Sequence, residues 1–408
     1  MKRFRFLIVC IALTGLAFSL LFHTSCKNSH NSDQPYLVVL SLDGFRWDYP
    51  QMYNTPNLNR MAEEGVRAEA LIPCFPTKTF PNHYSIATGL YPDHHGIIQN
   101  GFTDSALGVY EISNRASVMN AAFYGGEPIW VTAEKQNVKS AAFYWVGSEA
   151  PVQGMYASIW KTYEHNFSFT ARIDSVITWL QLPEKNRPHL IMWYIHQPDE
   201  IAHQEGPLSE STGKMVSYLD SLVGVFRTRL EALPIAGKVN FIVLSDHGMG
   251  ELAEERTLYL DELVPRYWLS AASGRDIHLN LQATPAYKDS LYNRLKRVQH
   301  LNVWKKEEVP ARLHYGTHPR IYDLVVAADS LWNIKITRTD GYDKGGHGYD
   351  NRNTEMHGIF YASGPAFRKG VTLPRFENVN LYSLFAEVLK VTPAANDGNL
   401  EPVRGALK

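Results

Sequence analysis

Three short apolar runs, each leading into an acidic residue, most sharply limit what this chain can fold into. They are YLVVLSLDG from Tyr36, HLIMWYI from His189 with QPDE just after it, and KVNFIVLSDHG from Lys238. A short continuous apolar run that stops at a turn reads as a strand buried on both faces. Helical patterns lie between the runs. TPNLNRMAEEG reads as a short helix closed by Gly65, and PNHYSIATGLYP as a second with Pro81 in its first turn. Ile173, Val176, Ile177 and Leu180 repeat at helical spacing. Met215, Tyr218, Leu219, Leu222, Phe226 and Leu230 form the apolar stripe of a longer helix. This alternation predicts an α/β fold, a mostly parallel sheet with helices on both faces. Sites in such sheets form beyond the carboxyl ends of the strands. Here those ends carry Asp43, Asp199 and Asp246.

Residues 257–340 break the rhythm. KDSLYNRLKRVQ is helical and IYDLVVAADS strand-like within them, so the segment reads as a small insertion lobe in a domain spanning 36–408. HGIFYASGPAF and NLYSLFAEVLKV return a strand and a closing helix to the core. No internal repeat or low-complexity segment interrupts the chain.

The first residues read as an export signal, 1–25, with Lys2, Arg3 and Arg5 before an apolar run from Phe6 to Phe22. Cys26 after that run is the pattern of a bacterial lipoprotein, although His23 departs from it; an uncleaved anchor helix is the alternative. Residues 26–35, including KNSHNSDQP, form a polar tether. Lys27 after Cys26 resembles outer-membrane sorting in Gram-negative bacteria, which places the folded part in the periplasm or at the cell surface. Cys74 is then the one cysteine of the folded part, so no disulfide forms there and Cys74 is expected to be buried. Lys+Arg number 40 against 41 Asp+Glu, so bulk charge argues for neither a nucleic-acid partner nor an acidic surface.

Four predicted strand-end segments carry metal-type ligands. They are Asp43 in SLDGFR, Asp199 and His203 in QPDEIAH, Asp246 and His247 in VLSDHGMG, and His347 in DKGGHGYDN. On a helix starting at Pro198, Asp199 and His203 face one way and can share a metal. Six N and O ligands exceed what one zinc uses and suit two metals, each with an open position. Thr79 then stands as a nucleophile. Its hydroxyl is weak at neutral pH but deprotonates on a divalent cation, and it opens a helix whose amides favour an anion.

PTKTFPNHYSIATGLYPDHHGIIQN, together with VLSLDGFR, PDEIAH, LSDHGM and HGYDN…MHGIF in that order, resembles the nucleotide pyrophosphatase/phosphodiesterase family of the alkaline phosphatase superfamily. The resemblance runs from about Tyr36 onward and implies an alkaline phosphatase-like sheet. It implies that Thr79 is the nucleophile and forms a phosphothreonine that water then cleaves. It implies two Zn2+, one held by Asp199, His203 and His347, the other by Asp43, Asp246 and His247 with Thr79. Asn100, helped by the backbone N–H of Phe80, is implied to donate to a phosphoryl oxygen. Phe80, Tyr194 in MWYIHQPD and Tyr163 in WKTYEH are the implied aromatic surfaces for a nucleobase.

A monoester needs an extra cation for its third free oxygen, whereas a diester needs an apolar wall, which Phe80 supplies. Lys78 beside Thr79 is expected at the surface. Thr79 cannot become formylglycine, which argues against a sulfatase. The leading reading is an exported nucleotide phosphodiesterase or pyrophosphatase acting on small molecules. It needs no sequence-specific nucleic acid and no membrane contact beyond the N-terminal tether. A choline- or glycerol-phosphodiesterase on the same metals, and a non-catalytic surface lipoprotein, are the alternatives. His83, His94 and His95 match no ligand position and are expected behind the site or at the surface. His357 is expected to be structural, and Asp343 and Asp350 to be turn or cap residues. His196 and Gln197 depart from the family pattern before Asp199.

Overall fold

The computed structural model describes residues 34–338 and 342–408. The expected signal segment and most of the expected tether, including Cys26, lie outside the described residues.

The main sheet is built from β1 (Tyr36–Leu42), β2 (Val66–Ala68), β3 (Ser140–Phe143), β4 (Ile159–Lys161), β5 (Leu190–Ile195) and β6 (Val239–Leu244), joined later by β11 (Phe360–Ser363) and β12 (Val371–Leu373). A separate sheet holds β7 (Leu269–Arg275), β8 (His278–Ala283), β9 (Leu301–Lys305) and β10 (Leu324–Ala328). The main sheet runs β12-β2-β11-β6-β1-β5-β3-β4. β1 pairs in parallel with both β5 and β6, which places the three acid-ended runs side by side. Only β11 runs against its neighbours.

All seven residues of β1 are buried. Successive strand residues point to opposite faces. Leu37 and Val39 enter one apolar layer, with Tyr84 and Ile86 of the helix Thr79–Thr88 and Leu381 and Phe385 of the helix Asn380–Leu389. Val38 and Leu40 enter the other, with Ile173 and Val176 of the helix Phe169–Leu180 and Leu219 and Phe226 of the helix Glu210–Glu231. The central strands are therefore covered on both faces, which is why they read as unbroken apolar runs. In the long helix the seam is completed by Val216 and Val223, and Tyr218 is 45% exposed. The expected stripe is corrected there, because Tyr218 lies off the face that meets the sheet.

Residues 269–328 form the four-stranded antiparallel sheet, ordered β7-β8-β10-β9. Leu279, Leu281, Leu291, Leu295 and Val326 pack there in a core of their own, joined by Leu252, Tyr349 and Met356. Cys74 is buried, with its thiol 2.9 Å from Oδ1 of Asn378.

Candidate active site

Neighbouring parallel strands set the first carboxylates. The chain turns just past β1, where the Asp43 N–H donates to Ile195 O and the Asp199 N–H donates to Asp43 O, both at 3.0 Å. Gly44, at φ +68°, makes this approach feasible, because a Cβ there would lie 2.9 Å from Asp199 Cα. Its N–H donates to Oδ1 of Asp246 at 3.2 Å. Asp199 then opens the helix Asp199–Glu205, which carries His203 one turn on.

The three histidines are held alike. Nδ1 of His203 lies 2.8 Å from Gly345 O, Nδ1 of His247 2.8 Å from Gly248 O, and Nδ1 of His347 2.8 Å from Thr77 O. A carbonyl only accepts, so each Nδ1 carries the proton and each Nε2 presents a lone pair. Nε2 of His203 and of His347 lie 3.5 Å and 3.6 Å from Oδ1 of Asp199. Nε2 of His247 lies 3.4 Å from Oδ1 of Asp43 and 3.1 Å from Oδ2 of Asp246. The His247 and His347 rings stack with centroids 3.7 Å apart, which ties the two groups together.

One oxygen of each carboxylate is buried without a hydrogen-bond partner: Oδ1 of Asp43, Oδ1 of Asp199 and Oδ2 of Asp246. Leaving a buried acceptor unmet is costly. Burial, then Asp246 and Asp199, pushes the Asp43 carboxyl well up; burial, then Asp199, does the same to Asp246. Burial raises Asp199 also. Burial drives the His247 and His347 imidazoles well down, which keeps them neutral. Three crowded carboxylates and three aimed lone pairs fit divalent metal, whose charge reverses the local cost of ionisation. Asp43, Asp246 and His247 form one group that can hold an ion, and Asp199, His247 and His347 another.

Thr79 is the first residue of the helix Thr79–Thr88, after Lys78 in extended backbone. Its Oγ1 lies 3.1 Å from Nε2 of His247. Behind it, Nδ1 of His83 lies 3.0 Å from Thr79 O and 3.2 Å from Oδ2 of Asp246, and Nε2 lies 2.9 Å from Ser41 Oγ. His83 and His95 are fully buried, and His94 is exposed and paired with Asp397. His357 is buried and bonded to Asn351 O, and Asp350 pairs with Arg312.

The Phe80 N–H departs from expectation. It donates to Oδ1 of Asn100 at 2.9 Å and so is not free to meet a phosphoryl oxygen directly. With Oδ1 taken, the amide Nδ2 of Asn100 is left to donate. Lys78 is a second correction. It is only 6% exposed, because the backbone of Gly348 covers its stem. Gly348 sits at φ +126°, where a Cβ would be 2.6 Å from Lys78 Cε.

A cleft of about 1150 Å³ brings Thr79, Phe80, Asn100, Tyr163, Tyr194, Asp43, Asp199, His203 and His347 to one wall system, and Asp246 and His247 are buried beside Asp43. A smaller cavity of about 320 Å³ beside Tyr91 holds none of them. Tyr194 also donates its hydroxyl to Oδ2 of Asp43 at 2.5 Å. Tyr163 packs edge-on against Tyr144, which sequence reasoning missed, and the lobe residues Ala272 to Asp276 close the far side. No local pattern could have shown those lobe contacts.

The family model for type I phosphodiesterase / nucleotide pyrophosphatase matches residues 37–350. The chain belongs to this family. Among relatives of the type I phosphodiesterase family, it is 33% identical over 387 residues to ectonucleotide pyrophosphatase/phosphodiesterase family member 3 of Rattus norvegicus, covering 92% of this chain and 44% of that protein. It is 35% identical to the venom phosphodiesterase of Naja atra, covering 92% of this chain and 47% of that one. The chain thus spans a little under half the length of these curated relatives. The murine ectonucleotide pyrophosphatase/phosphodiesterase 5 structure superposes with a TM-score of 0.88 at 32% identity, covering 92% of this chain and 100% of that one. An inactive form of the same murine protein, solved with AMP, superposes equally well. The α/β, alkaline phosphatase-like fold expected of the chain is the fold of this family.

Proposed function

We propose that this chain is an exported two-zinc phosphodiesterase and pyrophosphatase that cleaves nucleotide phosphodiester or pyrophosphate bonds through a phosphothreonine. The observation that carries the reading is Thr79 Oγ1 at 3.1 Å from Nε2 of His247, at a helix N-terminus, among carboxylates with orphan oxygens. Family membership and the AMP complex of the murine relative support a nucleotide substrate. Asp199, His203 and His347 would hold one zinc, and Asp43, Asp246 and His247 the other. Zinc, when bound, supplies Lewis-acid charge that eases hydroxyl ionisation and offsets phosphoryl charge.

This chain's own residues do the rest. The helix amides beyond Thr79 favour the developing anion. Thr79 gives up its hydroxyl proton to solvent, Oγ1 forms the new bond to phosphorus as the bond to the leaving oxygen breaks, and the leaving oxygen takes a proton from solvent. Water then cleaves the phosphothreonine and regenerates Thr79. Asn100 Nδ2, aimed by the Phe80 amide, donates to a non-bridging oxygen and gains strength as charge grows. Phe80 offers an apolar wall where a diester carries its substituent. Tyr163 and Tyr194 line the same cleft and offer faces for a base. Export and lipidation at Cys26 rest on the N-terminal sequence. No helix among the described residues is long and apolar enough to cross a membrane.

The test compares zinc-loaded protein on p-nitrophenyl thymidine monophosphate, p-nitrophenyl phosphorylcholine and p-nitrophenyl phosphate. Preference for the first is expected, with turnover lost in Thr79→Ala by at least about four orders of magnitude while zinc stays bound. Preference for the phosphorylcholine ester would move the substrate class. Preference for the monoester would overturn the diester argument, and full turnover in Thr79→Ala would remove the nucleophile.

A further inference from the structure

Among the described residues, the central site leaves one cluster of metal-type side chains unused. His165, two residues past the cleft-lining Tyr163, His196 just beyond β5 and Glu200 in the helix Asp199–Glu205 meet as two imidazoles and a carboxylate. Nε2 of His165 lies 3.6 Å from Oε1 of Glu200, and Nε2 of His196 lies 3.4 Å from Oε2. The two rings are close to parallel, with centroids 4.1 Å apart and 23° between their planes.

The spacing decides what this cluster suits. Hydrogen bonds from nitrogen to oxygen run about 2.7–3.2 Å, so both contacts are too long to be good ones. Two ligands each about 2.0–2.1 Å from one tetrahedral zinc stand about 3.4 Å apart. The same separation recurs in the central site, where His203, His347 and His247 lie 3.5, 3.6 and 3.4 Å from their carboxylates. The triad is also held from outside. Gln197 donates through Nε2 to Oε2 of Glu200 at 2.9 Å, and its Oε1 accepts from the Ile201 N–H. Nδ1 of His165 lies 3.1 Å from the Tyr163 hydroxyl, the kind of outer partner that fixes a metal-binding imidazole. Nδ1 of His196 is buried with no hydrogen-bond partner, and its ring is held by stacking on His165 and an edge contact with Phe169. His196 and Gln197 are also where the sequence departs from the family pattern.

We propose that His165, His196 and Glu200 form a third metal site, separate from the central pair, at the mouth of the cleft. Imidazole nitrogen with carboxylate oxygen selects zinc, copper or nickel over calcium and magnesium. His165 is 49% exposed and Glu200 40%, so solvent completes the coordination and the ion exchanges more readily than one in the buried centre. A bound ion fastens the segment carrying Tyr163 to the helix that begins at Asp199.

The test counts metal. The full-length protein, stripped with chelator, is dialysed against graded free Zn2+, and bound zinc is measured by atomic emission. Wild type, His165→Ala and Glu200→Gln are compared, each first checked for cooperative melting. Wild type is expected to take up one equivalent more than either variant, at higher free zinc than the central pair. Cu2+ added to zinc-loaded wild type is expected to show hyperfine coupling to two nitrogens in its electron spin resonance spectrum, lost in His165→Ala. His165 is exposed, so that variant folds and decides the matter even where Glu200→Gln does not. Equal zinc content in wild type and His165→Ala would overturn the proposal, whether the shared number is two or three.

Discussion

The backbone N–H of Phe80 and the side chain of Asn100 are joined by a 2.9 Å hydrogen bond, so the helix that Thr79 opens aims the carboxamide beside it. The first amide after Thr79 is thus spent on orienting a side chain. Asn100→Asp keeps the acceptor for Phe80 and removes the donor toward substrate. It is expected to lower kcat about 10²–10³-fold with little change in melting temperature. A steady-state assay beside a melting curve checks both halves. Unchanged kcat would leave Asn100 a purely structural partner of Phe80.

Tyr194 has two roles to separate. Its hydroxyl donates to Oδ2 of Asp43, and its ring faces the cleft. Tyr194→Phe keeps the ring and removes the bond. Zinc affinity is expected to fall about 10–100-fold, the usual effect of losing an outer partner of a ligand. KM at saturating zinc is expected to stay close to wild type. Competition with a chromophoric chelator reads the affinity directly.

Metal loading should be visible as protons. Burial, then the neighbouring carboxylates, raises the Asp43 and Asp246 carboxyls well above the ordinary range, so a metal-stripped site is expected to hold protons more tightly than ordinary carboxyls do. Zinc requires the ionised form and expels them. Calorimetric titration with zinc in buffers of different ionisation enthalpy is expected to show net proton release near neutral pH. Heats that do not depend on the buffer would contradict the crowding of these carboxylates.

Acid should weaken the fold through His95. It is fully buried, accepts from the Ile97 N–H at Nδ1 and sits 3.0 Å from Ser85 Oγ at Nε2. Burial holds its pKa down at about 3. The unfolded histidine takes a proton near about 6.5, so stability is fully present above that pH. It falls below it by up to about 1.4 kcal/mol per pH unit, until the folded group also titrates. His95→Gln is expected to be less stable at pH 7.5 and to lose about 2 kcal/mol less on going to pH 5. Denaturant midpoints at the two pH values supply the comparison.

The parts of the site legible in the sequence share one physical cause. A strand buried on both faces must be apolar throughout, so the first charged residue after it marks the strand end, where the carboxylates gather. Asp43, Asp199 and Asp246 stood out for that reason. The register that pairs Ser41 with Tyr194 and Leu42 with Ile195 was not legible, and it is what brings the Tyr194 hydroxyl to Asp43. Lys78 was misplaced for a similar reason. Its burial is decided by Gly348, on a turn that Thr77 docks through bonds to His347, Gly348 and Tyr349. Tyr218 fits a helical stripe as well as its neighbours do, and only the angle at which that helix meets the sheet turns it outward.

The clustered Asp and His side chains of the cleft come from chain segments as far apart as Asp43 and His347, with the four-stranded lobe between them. A ribosome must therefore make most of the chain before His347 exists to meet Thr77. Truncated or stalled products carry Thr79 but not His347. No unfinished copy of the chain therefore holds the whole site.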